Sequence, residues 1–293
     1  MDIVRYLGTE GYPRVGVRND GRVTPLPWAP SIAEVMRQPL AVLRERLAEP
    51  VTTAVETDVA YLPPVDGRTE VWASGVTYAR SRDARMEEST EQSVYDRVYE
   101  AERPELFFKA LPWRVVTDGD PIGIRADSPL NVPEPELAVF VNSAREIVGY
   151  GVCDDVSSRT IEGENPLYLP QAKVYAGSCA LATGIRPAWE IDASCLDIVL
   201  EVHRDSGICF EGKVNTSTIR REFDVLVEYL FRGQPFPDGA VLATGTGIVP
   251  ELDFTLREGD LVRIEVSGVG TLSNRVTTDR SALDQLMTRT DHS

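Results

Sequence analysis

Polar and apolar residues alternate in short runs along most of this chain, and only a few stretches carry helical spacing. The first of these begins at a capping box. Ser31 and Glu34 stand where a hydroxyl and a carboxylate can satisfy first-turn N–H groups, and the apolar spacing then runs through Leu47 with a break or restart near Pro39. "AYLPPVDG" (residues 60–67) reads as a linker, because two prolines and a turn interrupt any regular element. Beyond it the texture changes. "VWASGV" is a short β-rich run ending in a glycine turn, and Ser89 with Gln92 predicts a helix that carries Tyr95, Val98 and Tyr99 on one face. After "ELFFKA" come the β-type segments "WRVVTDG", "ELAVFVN", "EIVGYGV", "LDIVLEVHRDSG" and "ICFEGKV". One amphipathic helix interrupts them: Ile219, Phe223, Leu226, Val227, Leu230 and Phe231 share a face, and Gly233 is placed to end it. "GDLVRIEVSGVGTLSNRV" is again strand, turn, strand. The pattern predicts an α+β fold, mainly β, with no repeats and no regular βαβ alternation. It divides into a small N-terminal α/β unit, residues 1–65, and a larger unit, residues 66–293.

Composition narrows the function classes. At 293 residues the chain can bury roughly three quarters of its unfolded surface, so a core needs no disulfides. The net charge of −16 and pI near 4.6 argue against nucleic acid and against an anionic membrane surface, both of which draw on clustered Lys and Arg. The first residues, "MDIVRYLGTE", lack a basic segment followed by an apolar one, so no signal peptide is expected. No apolar stretch approaches the ~20 residues that span a bilayer. Cys153, Cys179, Cys195 and Cys209 have no CxxC spacing and are expected to be reduced, buried or incidental. A cytoplasmic protein is the expectation.

The candidate chemistry starts in "VPEPELAVFV". On a strand, residues i and i+2 point to one face, so Glu134 and Glu136 aim two carboxylates the same way, about 7 Å apart at Cα. Like charges that close repel unless a proton or cation neutralises them, and Mg²⁺ or Mn²⁺ prefers such oxygens. A solvated strand end, marked by Pro133 and Pro135, is the simpler account of an isolated E-x-E. The following "GYGVCDDVSSRTIEGENPLYLPQAKVY" is dense in polar groups so close to a strand. Asp155 can add a third carboxylate from the neighbouring strand, and "DVSSR" offers hydroxyls and an Arg to orient ligands or hold an anion. Lys173, among small and apolar residues, is either a snorkelling surface residue or a pocket cation facing an acidic substrate. Histidine is scarce: His203 in "LEVHRDSG" reads as an exposed strand position, and His292 as tail. "TGTGIV" lacks the spacing of a dinucleotide loop, and no GxSxG is present.

Taken together, E-x-E, "DDVSSR", Lys173, "LATGTGIVP" and "EGDLVRIEVSGVGTLSNRV" resemble the fumarylacetoacetate hydrolase family from about residue 70 to the C-terminus. "WASGVTYARSRDARMEES", "RPELFFKA" and "SSRTIEGENPLYLPQAKVY" resemble its 2-keto-3-deoxy-D-arabinonate dehydratase branch. The resemblance implies a rolled mixed β-sheet catalytic domain, with Glu134, Glu136 and Asp155 as metal ligands and Lys173 at the 2-oxo acid end of the substrate. It implies Mg²⁺, with Mn²⁺ or Ca²⁺ as alternatives, and a homodimer or homotetramer. Asp154 stands where the family usually has Asn. The histidine that C–C bond hydrolases of the family carry in the loop matching "GVTYARSR" is missing.

The residues and the resemblance together predict a metal-dependent hydro-lyase. It would take a small-molecule 2-oxo sugar acid, a 2-keto-3-deoxypentonate, to α-ketoglutarate semialdehyde and water in non-phosphorylative pentose catabolism. Glu105, flanked by Leu106, Phe107 and Phe108, and Lys173 are the candidates for proton transfer, although the polar start of an edge strand also explains Glu105. Arg82, Arg85 and Lys109 are candidates for holding substrate hydroxyls or carboxylate, and a solvated face explains them equally well. Thr246 either donates to the substrate carboxylate or simply forms its turn. Two other readings stay open. One is a hydrolase or decarboxylase of the same fold acting on acylpyruvates or 2,4-diketo acids, against which the missing loop histidine counts. The other is a non-catalytic binding protein, against which the complete carboxylate set counts.

Overall fold

The computed structural model describes residues 1–49, 55–88 and 92–289, without the side chains at 85, 87, 88, 92–95 and 289. β1 (Asp2–Leu7), β2 (Pro13–Asn19) and β3 (Arg22–Pro25) pair as an antiparallel meander. α1 (Ile32–Met36) and α2 (Leu40–Ala48) come after them, separated at Pro39 as the spacing predicts. Ser31 Oγ accepts from Glu34 N at 3.1 Å, while the Glu34 carboxylate pairs with Arg37. The rest of the cap comes from afar. Asp66 accepts from Ile32 N at 2.9 Å and Ala33 N at 2.7 Å and pairs with Arg5, so "AYLPPVDG" is not a free linker. Within it β4 (Ala60–Leu62) pairs with β1, and Pro63, Pro64 and Val65 are buried.

β5 (Glu70–Gly75), α3 (Ala79–Glu88), α4 (Gln92–Glu100) and β6 (Glu105–Ala110) come next. α3 was not expected, because "ARSRDARMEE" carries no apolar stripe. α4 lies where the Ser89–Gln92 signal put a helix, although Ser89 itself lies outside the described residues. "WRVVTDG" is not a strand: Pro112 opens a 3₁₀ turn to Arg114, and Val116 makes a single bridge to Ala180.

Most of the remaining elements are strands. β7 (Ile122–Gly123), β8 (Asn131–Val132), β9 (Pro135–Val141), β10 (Ile147–Asp155) and β11 (Ser157–Ser158) lead to two short helices, α5 (Arg159–Glu164) and α6 (Leu169–Lys173). β12 (Cys179–Leu181), β13 (Gly184–Pro187), β14 (Asp197–Arg204) and β15 (Gly207–Asn215) precede the amphipathic α7 (Phe223–Phe231). β16 (Ala240–Ala243), β17 (Leu261–Val266), β18 (Gly270–Thr277) and α8 (Arg280–Arg289) complete the order.

An eleven-stranded mixed sheet runs β3-β2-β1-β13-β10-β9-β16-β5-β6, with β12 on β10 and β4 on β1. A five-stranded sheet runs β15-β14-β17-β18-β7. β9 has both faces covered, which is why its sequence is apolar throughout. Leu137, Val139 and Val141 face Ile198, Leu200 and Ile264 of the smaller sheet together with Leu226 of α7. Ala138 and Phe140 face Ile3, Val15, Ile32 and Met36, so residues 1–65 share a core and a sheet with the larger unit. The architecture is mainly β, as the pattern predicts, and its large sheet is mixed, as the resemblance implies. Cys153 and Cys179 are buried, Cys195 and Cys209 exposed, and all four are free thiols. Among the described residues no helix is long and apolar enough to cross a membrane.

Strand direction gathers the chemistry at one end of the large sheet. β5 and β16 are parallel and end there, β9 and β6 begin there, and the antiparallel β10 ends there.

Candidate active site

In the β9–β10 ladder Glu136 lies opposite Cys153 and Pro135 opposite Asp154. The two-residue period therefore sends Glu134, Glu136 and Asp155 to one face and Asp154 to the other. Asp154 Oδ1 accepts from Glu134 N at 3.0 Å, and burial pushes its carboxyl up to about 7. One oxygen from each of Glu134, Glu136 and Asp155 lies within 4.8 Å of the others, and all three residues are buried. Burial first, then the neighbouring Asp155 and Glu134 charges, pushes the Glu136 carboxyl well above the usual range, against the pull of Lys173 and a backbone bond from Gly245. That bond, Gly245 N to Glu136 Oε2 at 2.7 Å, needs a glycine. Gly245 has φ +93°, and a Cβ there would fall 2.1 Å from Thr77 Oγ1 and 2.8 Å from Ser74 O. Three clustered carboxylates short of positive charge suit a hard divalent ion.

Two lysines meet this cluster from different directions. Lys173, at the end of α6, donates from Nζ to Glu134 Oε2 at 2.7 Å, Asp155 Oδ2 at 3.1 Å and Ser157 Oγ at 2.6 Å. Its ammonium also stands 5.5 Å from the Phe107 ring centroid, so it is a buried pocket cation and not a snorkelling surface residue. Lys109 departs from expectation. Its Nζ pairs with Asp155 Oδ1 and donates to Val156 O at 3.1 Å and Lys173 O at 2.6 Å, with the side chain 0% exposed. It is on no solvated face and does not line the cleft in front of the carboxylates. The cause is a bulge: Val71 pairs with Ala110 and Trp72 with Phe108, leaving Lys109 as the extra residue, re-aimed inward.

The cleft in front of the carboxylates is narrow. Glu105 and Phe107 of β6, Gly75 of β5 and Thr246 after β16 line it. A Cβ at Gly75 would come within 2.1 Å of Glu105 Oε2, so glycine makes room for that carboxylate. Thr246 Oγ1 also serves its turn, accepting from Ile248 N at 3.1 Å and donating to Ile248 O at 3.2 Å. Arg82 is not brought to the cleft; it pairs with Asp83 and stacks 4.8 Å over Tyr99. The Arg85 side chain lies outside the described residues. His203 sits on β14 with Nε2 3.0 Å from Glu201 Oε2, His292 lies outside the described residues, and no described histidine lines the cleft.

Two cleft residues come from α5. Arg159, the Arg of "DVSSR", is buried and donates to Pro250 O at 2.6 Å. Glu162 was missed. It is buried in the cleft wall with Oε1 4.0 Å from Lys173 Nζ. The available signal was Ser158, whose Oγ accepts from Ile161 N and starts a helix at Arg159, four residues beyond Asp155.

Residues 70–277 match the family described as fumarylacetoacetate (FAA) hydrolase C-terminal. The 2-dehydro-3-deoxy-D-arabinonate dehydratase of Saccharolobus solfataricus is 46% identical over 220 residues, covering 73% of this chain and 74% of that protein. A "probable 2-keto-3-deoxyxylonate dehydratase" of Haloferax volcanii is 50% identical over 216 residues, with the same coverage of 73% and 74%. Among solved structures, a 2-keto-3-deoxy-D-arabinonate dehydratase complexed with magnesium and 2,5-dioxopentanoate superposes with a TM-score of 0.81 at 37% identity, over 94% of this chain and 99% of that one. The motifs, the strand polarity that assembles the carboxylates and the extent of these matches agree: the chain belongs to the fumarylacetoacetate hydrolase family.

Proposed function

We propose that this chain is a Mg²⁺-dependent dehydratase that converts a 2-keto-3-deoxy sugar acid, such as 2-keto-3-deoxy-D-arabinonate, to α-ketoglutarate semialdehyde (2,5-dioxopentanoate) and water. The observation that carries the reading is the buried set Glu134, Glu136 and Asp155, gathered within 4.8 Å. The names of the relatives at 46% and 50% identity support the substrate class, and the magnesium and 2,5-dioxopentanoate in the complex at 37% identity support the ion and the product. Held by these carboxylates, Mg²⁺ would act as a Lewis acid on a 2-oxo acid and make its C3 protons more acidic.

The chain's own groups do the rest. Lys173, fixed by Ser157 and the backbone bonds of Lys109, keeps an ammonium at the oxo-acid end. Glu105, beside Phe107 and given room by Gly75, serves as the base at C3. Thr246 donates to the substrate carboxylate once its hydroxyl turns away from Ile248 O, its acceptor in the substrate-free chain. The absence of a described histidine in the cleft wall favours elimination over water-driven C–C cleavage. The division at residue 65 belongs to the same proposal, supported by a family match that begins at residue 70. So do a cytoplasmic setting and a homodimer or homotetramer, which light scattering on the purified protein tests.

NMR of the protein with Mg²⁺ and 2-keto-3-deoxy-D-arabinonate is the test of function. Metal-dependent appearance of 2,5-dioxopentanoate is the expected result. Inertness toward 2-keto-3-deoxypentonates, with cleavage of acylpyruvates instead, would overturn the proposal.

A further inference from the structure

Dehydration of a 2-keto-3-deoxy acid needs proton transfer at two places: a base at C3 and an acid at the departing C4 oxygen. Among the described residues, two cleft carboxylates stand outside the clustered set of Glu134, Glu136 and Asp155, namely Glu105 on β6 and Glu162 on α5. They come from different walls. The position of Glu162 is set by its short helix, which is tied down at its start by Ser158 Oγ to Ile161 N and by Arg159 Nη1 to Pro250 O at 2.6 Å. Its Oε1 lies 4.0 Å from Lys173 Nζ, whereas Glu134 and Asp155 touch the same ammonium at 2.7 and 3.1 Å. Glu162 therefore stands in the cleft wall one step out from the carboxylate cluster, within reach of a C4 group when the oxo-acid end is held at the cluster. Lys173 is poorly suited to that second role, because Glu134, Asp155 and Ser157 already take its ammonium within 3.1 Å.

Building on the dehydratase reading, we infer that Glu162 is the acid that protonates the departing C4 hydroxyl. A base removes a C3 proton, and the electron pair left behind forms the C3–C4 double bond. The C4–O bond breaks with its electron pair, and that oxygen takes the Glu162 carboxyl proton and leaves as water. A 5-hydroxy-2-oxo-3-ene acid and a Glu162 carboxylate remain. As the ene isomerises, a proton lost from C5 returns Glu162 to its acid form while the base gives its proton back to C3. The resulting C5 enol then loses its hydroxyl proton to solvent, takes one at C4 and becomes the C5 aldehyde. No oxidant or reductant enters.

The test uses Glu162→Gln with wild-type protein, Mg²⁺ and substrate in D₂O, followed by NMR. Dehydration is expected to fall about 10²-fold or more. KM should stay within about threefold and Mg²⁺ affinity by calorimetry should be unchanged, while deuterium enters C3 of unreacted substrate because the C3 base is intact. Glu162→Asp, which keeps a carboxyl one methylene back, should recover part of the loss and shift the ratio of exchange to elimination in the same direction. That second variant carries the test if the Gln variant does not fold. Near-normal dehydration by Glu162→Gln would overturn the assignment, as would loss of C3 exchange along with dehydration, or loss of Mg²⁺ affinity. No turnover by the wild-type protein would overturn the proposed function itself, and this assignment with it.

Discussion

Two of the places where the molecule buries carboxylates balance them differently. Asp238, its side chain 2% exposed, is met by Arg37 at 2.8 Å and Arg68 at 3.0 Å, and its carboxyl is held down at about 2, chiefly by the Arg68 bond. Glu136 is pushed the other way by burial and by its like-charged neighbours. In the first cluster two guanidiniums serve one carboxylate. In the second, Glu134, Glu136 and Asp155 share Lys173, with Lys109 paired to Asp155. A compensated cluster ties segments together: Asp238 also accepts from Arg68 N and so fixes the approach to β5. A cluster short of positive charge is costly to bury and marks a place built for a cation.

Experiments can break this contrast, starting with the largest effect. Stripping divalent ions with a chelator should lower turnover by about 10³-fold or more, the several kcal/mol a Lewis acid supplies, with recovery on adding Mg²⁺. Lys109→Met leaves a buried Asp155 oxygen without its counter-charge and should cost about 3–5 kcal/mol in urea unfolding; a cost under about 1 kcal/mol would mean that Lys109 is not the structural cation described. Gly245→Ala forces a side chain into a left-handed position and displaces the donor to Glu136, for about 1–3 kcal/mol of stability and a measurable loss of Mg²⁺ affinity.

The two clusters should also differ in pH response. The folded-state value of Asp238, about 2, lies below the unfolded value near 3.9, so its contribution is present above pH ~4 and fades as pH falls toward 2. Asp238→Asn should flatten that acid limb of the melting curve and leave neutral-pH turnover unchanged. Glu136 has the opposite sign. Its raised folded value lets the metal-free protein keep a proton that the unfolded chain releases, so its contribution to stability falls as pH rises above about 4.3. The smallest effect should come from Arg82→Ala. Arg82 is engaged with Asp83 and Tyr99 away from the cleft, and kcat/KM should stay within about threefold.

How much of this was legible in the sequence depended on how local each signal was. Glu134, Glu136 and Asp155 could be read because strand period and a short hairpin decide which carboxylates share a face. The helices at Ser31 and Phe223 announced themselves through caps and apolar spacing. Lys109 could not be read, because its direction depends on a bulge against β5 that no single-strand pattern records. Glu162 was hidden in a six-residue helix with no periodicity to find. The reach of Asp66 from the expected linker to α1, and the joining of β1 to β13, are long-range pairings that composition and spacing leave open.

The central claim is that Glu134, Glu136 and Asp155 are buried together to hold a divalent cation. Calorimetric titration of Mg²⁺ into metal-free wild-type protein and into Glu136→Gln tests it most directly. Saturable binding near one ion per chain in the wild type, weakened at least about tenfold in a variant that still folds, is the predicted result. Equal affinity in both proteins, or no binding by the wild type, would contradict it.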